Sequence, residues 1–153
     1  MKRHHLSKKE IKNLINELSD TFNQDLLSKK DKVELVEDEF KFISINGEAS
    51  FIYIDDKLIP TLKTLLKNNF LKQVVVDMGA VKFVTSGADV MRPGIVKIDE
   101  SIMEGEIISI IDEKNKKPLA IGKSLFSGQD LKNKTSGKSI KSIHFVGDKI
   151  WNS

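Results

Sequence analysis

The chain has 153 residues, 39% hydrophobic and 31% charged, enough apolar content for one domain or two small ones. No cysteine is present, which excludes disulfides, thiolate metal sites and thiol nucleophiles. The net charge of +3 and isoelectric point near 9.0 permit a polyanionic partner without demanding one.

The first element reads as a helix. Ser7 and Glu10 form a capping-box pattern, and Ile11, Leu14, Ile15, Leu18 and Phe22 follow at helical spacing. The basic start "MKRHHLSKKE" has no hydrophobic stretch of leader type after it; His4 and His5 are expected in a disordered terminus. A strand candidate covers Val33–Val36. Next come "FKFISI", Asn46-Gly47 and "ASFIYI", a hairpin signal because Asn-Gly favours a tight turn between apolar runs. Asp55-Asp56 closes the second strand. Pro60 suits the first turn of a second helix, which Leu62, Leu65 and Leu66 would bury and Asn68-Asn69 would end.

From Val74 onward the segments become short and glycine-punctuated. Strand candidates are 74–76, 106–112, 119–122, 139–146 and 149–153. Turn signals at this spacing suggest a small barrel. A boundary is placed near residue 73, with the two halves expected to pack together. Residues 1–73 carry 13 basic and 12 acidic groups, and residues 74–153 carry 12 and 10. Neither half is a basic tail, so any nucleic-acid contact must rest on local arrangement.

The stretch "DMGAVKFVTSGADVMRPGI" (77–95) reads as a strand end, a turn at Gly79-Ala80, an exposed loop and a very short helix. Ser86 and Asp89 suggest a capping pair that starts this helix near Gly87, and Pro93 disfavours helical geometry at Arg92. A helix start after small residues leaves N–H groups free for an anion such as phosphate. Lys82 and Arg92 could add charge. The same glycines could equally serve only the backbone of a tight barrel closure.

This stretch resembles the signature of the PUA domain, the RNA-binding module named for pseudouridine synthases and archaeosine transglycosylases. "EGEIISIID", "PLAIGKSLFSGQDL" and the closing "IHFVGDKIW" resemble its later parts. Upstream, "SINGEASFIYIDDKLIPTLKTLL" is similar to the small α/β domain that precedes PUA in the MCT (malignant T-cell amplified sequence) family. The resemblance implies an α+β protein: a small α/β N-terminal domain, residues 1–73, packed on a PUA mixed β-pseudobarrel, residues 74–153. It implies an RNA face made of the glycine loop, its helix and neighbouring strands. Mapped here, that face comprises Lys82, Phe83, Thr85, Ser86, Gly87, Ala88, Asp89 and Arg92, with Lys149 and Trp151 nearby. It further implies a translation role, with tRNA or ribosomal RNA as partner and a second translation factor bound through the N-terminal domain.

No catalytic site is readable. His144 sits within a strand pattern, no His, Asp or Glu cluster has metal-ligand spacing, and "SGADVMRPG" lacks a Walker ending. No cofactor is expected. The leading expectation is a cytoplasmic, monomeric, non-catalytic RNA binder with no membrane contact. An accessory subunit of an RNA-modifying enzyme and a protein-interaction module stand as alternatives. Trp151 is expected on a terminal strand with Lys149, opposite Ile150. There it would either pin that strand or offer a stacking surface for RNA.

Overall fold

In a computed structural model describing all residues, Met1–Ser153, the capping box at Ser7 is formed reciprocally. The Glu10 N–H donates to Ser7 Oγ at 3.2 Å and the Ser7 N–H to Glu10 Oε1 at 3.0 Å. Two orphan donors of the first turn are thereby satisfied. Helix α1 (Lys8–Phe22) follows and buries Ile11, Leu14 and Leu18, the stripe its spacing dictates. It ends at Asn23 in the left-handed region, φ 53°.

The chain divides into two units, Met1–Thr64 and Leu65–Ser153. The first holds α1 and five strands: β1 (Lys2–His5), β2 (Val33–Glu37), β3 (Lys41–Ile45), β4 (Glu48–Ile54) and β5 (Lys57–Pro60). They pair in chain order, every neighbour antiparallel. Asn46 and Gly47 link β3 to β4 with φ of 52° and 85°, the both-positive geometry of a hairpin turn whose twist matches its strands. Asp55 and Asp56, φ 50° and 63°, repeat the device between β4 and β5.

Two expectations fail in this unit. His4 and His5 are not in a disordered terminus; they lie in β1, paired with Leu35 and Glu34 of β2. Pro60 is not in a helix; it ends edge strand β5 opposite Phe51, a place where its missing N–H costs no ladder bond. The second helix, α2 (Leu62–Lys67), starts two residues later and runs across the division between the units.

The second unit holds β6 (Gln73–Val76), α3 (Met78–Val84), β7 (Val90–Met91), a single 3₁₀ turn at Arg92–Gly94, β8 (Ile95–Ile98), β9 (Ile107–Asp112), β10 (Pro118–Ser124), α4 (Gly128–Asn133) and β11 (Lys138–Phe145). Its six strands lie in the order β7-β11-β10-β9-β6-β8. Only β6 and β9 are parallel, giving the mixed, nearly closed sheet of a pseudobarrel. Val74, Val84, Ile108, Ile110, Leu131 and Ile140 are buried at its centre. The β10–β11 register is held by close approach: a Cβ on Gly122 would stand 2.5 Å from Ile140 Cγ2 and 2.8 Å from the Lys141 carbonyl oxygen.

The expected strand at 149–153 is absent, because Asp148 diverts the chain. Its carboxylate accepts the N–H groups of Phe145 and Trp151 at 2.9 and 2.8 Å and lies 2.8 Å from His144 Nδ1. The terminus therefore turns instead of joining the ladder. Ile150 is buried within this turn, and Trp151 is half-buried.

Candidate nucleic-acid interface

The 77–95 segment folds differently from its sequence reading. Asp77 is the N-cap of α3, its Oδ1 accepting the Ala80 N–H at 2.8 Å. Gly79 and Ala80 are thus the first turn of a helix, not a link between strands. Ser86 and Gly87 do not start a helix; they end one. The Gly87 N–H donates to the Val84 carbonyl at 3.1 Å and the Ala88 N–H to the Phe83 carbonyl at 3.0 Å. That is the bond pair of a Schellman terminator with glycine in the left-handed position. Gly87 has φ +90°, and a Cβ there would stand 2.7 Å from the Phe145 ring.

The consequence is chemical. The Ser86 N–H also donates to the Phe83 carbonyl, at 3.1 Å, and the Ser86 and Thr85 hydroxyls donate to Lys82 and Val81 carbonyls at 2.6 and 2.9 Å. The donors expected to meet a phosphate are consumed by α3 itself. At the other end of α3, Asp77 and Glu113 carboxylates face the Ala80 and Met78 N–H groups. A backbone phosphate nest is therefore not what this segment provides.

It provides an apolar groove of about 560 Å³, lined by Ala80, Phe83 and Val84 of α3 and by Ala88, Val90, Met91, Pro93 and Gly94 across from them. That volume lies within the range of sites for small organic groups. Phe83 is 57% and Met91 51% exposed, both large for apolar side chains. Lys82 is exposed, its Nζ 5.1 Å from the Phe83 ring centroid. Asp89 lines the groove; its Oδ1 accepts the Ser142 N–H at 2.8 Å and its Oδ2 pairs with Lys138 Nζ at 3.0 Å. The Ser142 bond first, and Lys138 second, hold its carboxyl below the ordinary aspartate range.

The residues singled out from sequence separate into roles. Phe83, Ala88 and Asp89 line the groove, and Lys82 flanks Phe83. Thr85, Ser86 and Gly87 terminate α3. Arg92 is a brace: its Nε donates to the Leu131 carbonyl at 2.7 Å and its Nη1 to the Ile95 carbonyl at 3.0 Å. Lys149 is exposed in the C-terminal turn and does not line the groove. Sequence reasoning missed Met91, Pro93 and Lys138. The first two lie inside the segment already singled out. Lys138 reaches Asp89 because β11 pairs with β7, a link of high sequence separation.

A second hollow of about 600 Å³ lies along β6 and β8, between Lys72, Lys97 and Lys116. Its Lys72 ammonium is engaged by the Ser101 carbonyl and Glu106. His144 is 1% exposed and bound to Asp148, a structural position.

The mixed six-stranded sheet, with its groove between α3 and the β7 segment, defines a PUA-domain protein. Residues 72–146 match the PUA domain, and residues 2–68 match a domain of unknown function, DUF1947. An uncharacterised protein of Methanocaldococcus jannaschii is 46% identical over 99% of this chain and 96% of its own length. Translation machinery-associated protein 20 of Saccharomyces cerevisiae is 36% identical over 84% of this chain and 76% of its own. Malignant T-cell-amplified sequence 1 of Danio rerio is 32% identical over 92% and 85%. The chain belongs to the family of malignant T-cell-amplified sequence 1 and translation machinery-associated protein 20. Among solved structures, a hypothetical protein of Pyrococcus horikoshii superposes with TM-score 0.84 at 40% identity, covering 99% of this chain and 98% of that one. An H/ACA ribonucleoprotein bound to a substrate RNA matches with TM-score 0.51 at 28% identity, over 63% of this chain and 29% of that one.

Proposed function

We propose that the protein is a non-catalytic RNA-binding factor of the cytoplasmic translation machinery, taking tRNA or small-subunit ribosomal RNA through its second unit. The observation that carries this reading is the groove. Its backbone donors are spent, its lining is apolar, and an exposed phenylalanine with an adjacent lysine stands beside it. Such a site suits the face of an unstacked base better than a phosphate, with lysines around it to hold the backbone. The charge distribution agrees: residues 65–153 carry 14 basic against 10 acidic groups, and residues 1–64 carry 11 against 12. The family relationship to translation machinery-associated proteins supports the setting.

In this reading the two halves of the chain are separate domains with divided labour, the first offering a docking surface to a second translation factor. The fragment 65–153 keeps Gln73 of β6 and Lys72 with its Glu106 partner, so it is the piece to express alone. It is expected to bind labelled tRNA as the full chain does.

Phe83→Ala tests the groove. A base stacked on an aromatic ring contributes about 1–3 kcal/mol, so tRNA affinity should fall roughly fivefold to over a hundredfold. The thermal midpoint should hold, because the side chain is mostly in water. Unchanged affinity would remove the groove from the RNA face. A second reading, an accessory subunit of an RNA-modifying assembly, is favoured by the likeness to the H/ACA ribonucleoprotein. Affinity capture from native lysate separates the two, through ribosomal subunits in one case and a modification enzyme in the other.

A further inference from the structure

Strands β10 and β11 place two lysines face to face. In their antiparallel register Lys123 lies directly opposite Lys141, and both are exposed. Directly paired residues hold their Cβ atoms about 4.5–5.5 Å apart, and like charges so placed are destabilising. The fold offers little relief. On its other side Lys123 is paired with Ile107 of β9, not with an acid. Asp89 acts electrostatically on Lys141, but its oxygens are committed to the Ser142 N–H and to Lys138. A slip of register is blocked where Gly122 lies against Ile140 and the Lys141 backbone.

The pair also has a direction. Lys138 stands opposite Met91, and Val90 opposite Ile140, the residue before Lys141. Lys138 and Lys141 thus run along β11 beside the wall of the groove, and Lys123 continues the row onto β10. We propose that Lys123 and Lys141 form a phosphate-binding fork, which holds the RNA backbone where it leaves the groove past Asp89. This rests on the groove reading above. A phosphodiester between two ammonium groups turns a repulsion in the free protein into two charge-assisted contacts in the complex. The fork therefore favours RNA binding at the expense of the free fold.

That opposition is the test, made on the full chain with labelled tRNA. Lys123→Glu places a carboxylate opposite Lys141, so the thermal midpoint should rise by about 1–2 °C. Affinity at low salt should fall at least tenfold. The slope of log affinity against log salt should flatten by about 0.7–0.9, because the one phosphate held between the two lysines is no longer neutralised. Lys123→Arg should keep both affinity and slope. Phe83→Ala, by contrast, should lose affinity with its slope unchanged. Parent affinity and slope in Lys123→Glu, beside weakened binding in Phe83→Ala, would overturn the fork and leave the groove standing. A lowered midpoint in Lys123→Glu would overturn it too, by showing the lysine to be a structural support. A parent chain that fails to bind tRNA at any salt would bring down fork and groove together.

Discussion

The two sheets are closed by different kinds of glycine. In the first unit the strands pair in chain order, β2 to β5 through short turns, and Gly47 in the β3–β4 turn has open space around the place a Cβ would occupy. Its only demand is a positive φ. In the second unit the strand order is crossed, and Gly87 and Gly122 stand against side chains from distant parts of the chain. A sheet built from sequential hairpins needs its turns to be right. A crossed sheet also needs clearance where remote segments meet, and that demand falls on the unit carrying the groove.

Three substitutions would break this comparison if their order came out otherwise. Gly122→Val should have the largest effect, about 3 kcal/mol or more, because its methyls meet Ile140 and a backbone carbonyl that cannot swing away. Amide exchange should lose protection first in β10 and β11. Gly87→Ala should follow at about 2 kcal/mol, combining left-handed strain with displacement of the Phe145 ring. A glutamate there would carry the same penalty, so loss of RNA binding in such a variant would not isolate the groove. Gly47→Ala should cost about 1 kcal/mol, from φ alone, with loss of protection confined to β3 and β4.

Acid should produce the smallest effect and touch both units. Glu10 and Asp31 in the first unit, and Asp89 and Asp99 in the second, all titrate below their ordinary range. Hydrogen bonds to the charged form are the leading cause in each: Ser7 for Glu10, Ser28 for Asp31, Ser142 for Asp89 and Ser101 for Asp99. A depressed folded pKa contributes stability that is complete above the unfolded value, near pH 4 for these groups, and is lost as pH falls through the folded one. Their contribution should therefore be constant down to about pH 5 and decline below about pH 4. Replacing Asp89 with asparagine should flatten the acid limb of the midpoint against pH; an unchanged limb would show that the carboxylate does not contribute.

What the sequence discloses follows the same division. The Ser7–Glu10 box and the Asn46-Gly47 turn are local devices, each complete within a few residues, and both are legible. Ser86-Gly87 is local too, yet its sequence reading is the reverse of the structure. Serine before glycine can open a helix or close one, and only the helix at Met78–Val84 decides which. Gly79 hides that helix, because glycine argues against helical structure until the Asp77 cap is recognised. Strand β1 escapes sequence reading because it has no apolar alternation, all four residues being exposed. Its pairing with β2 is supplied from beyond the whole of α1. The charge of Arg92 points to the RNA face, whereas the carbonyls that hold it come from Ile95 and Leu131, one of them 39 positions distant.

The composition of β1 has a consequence for solubility. This strand is the outermost of the first sheet, so its outer backbone groups form a template on which another chain could add a strand. Lys2 and Arg3 make that rim cationic, and with His4 and His5 they leave it without an apolar side chain. Directly behind it lies β2, whose Val33 and Val36 are buried. Removing the residues up to His5 would move the open rim to a strand with an apolar face, and the protein would exchange a self-repelling border for an adhesive one.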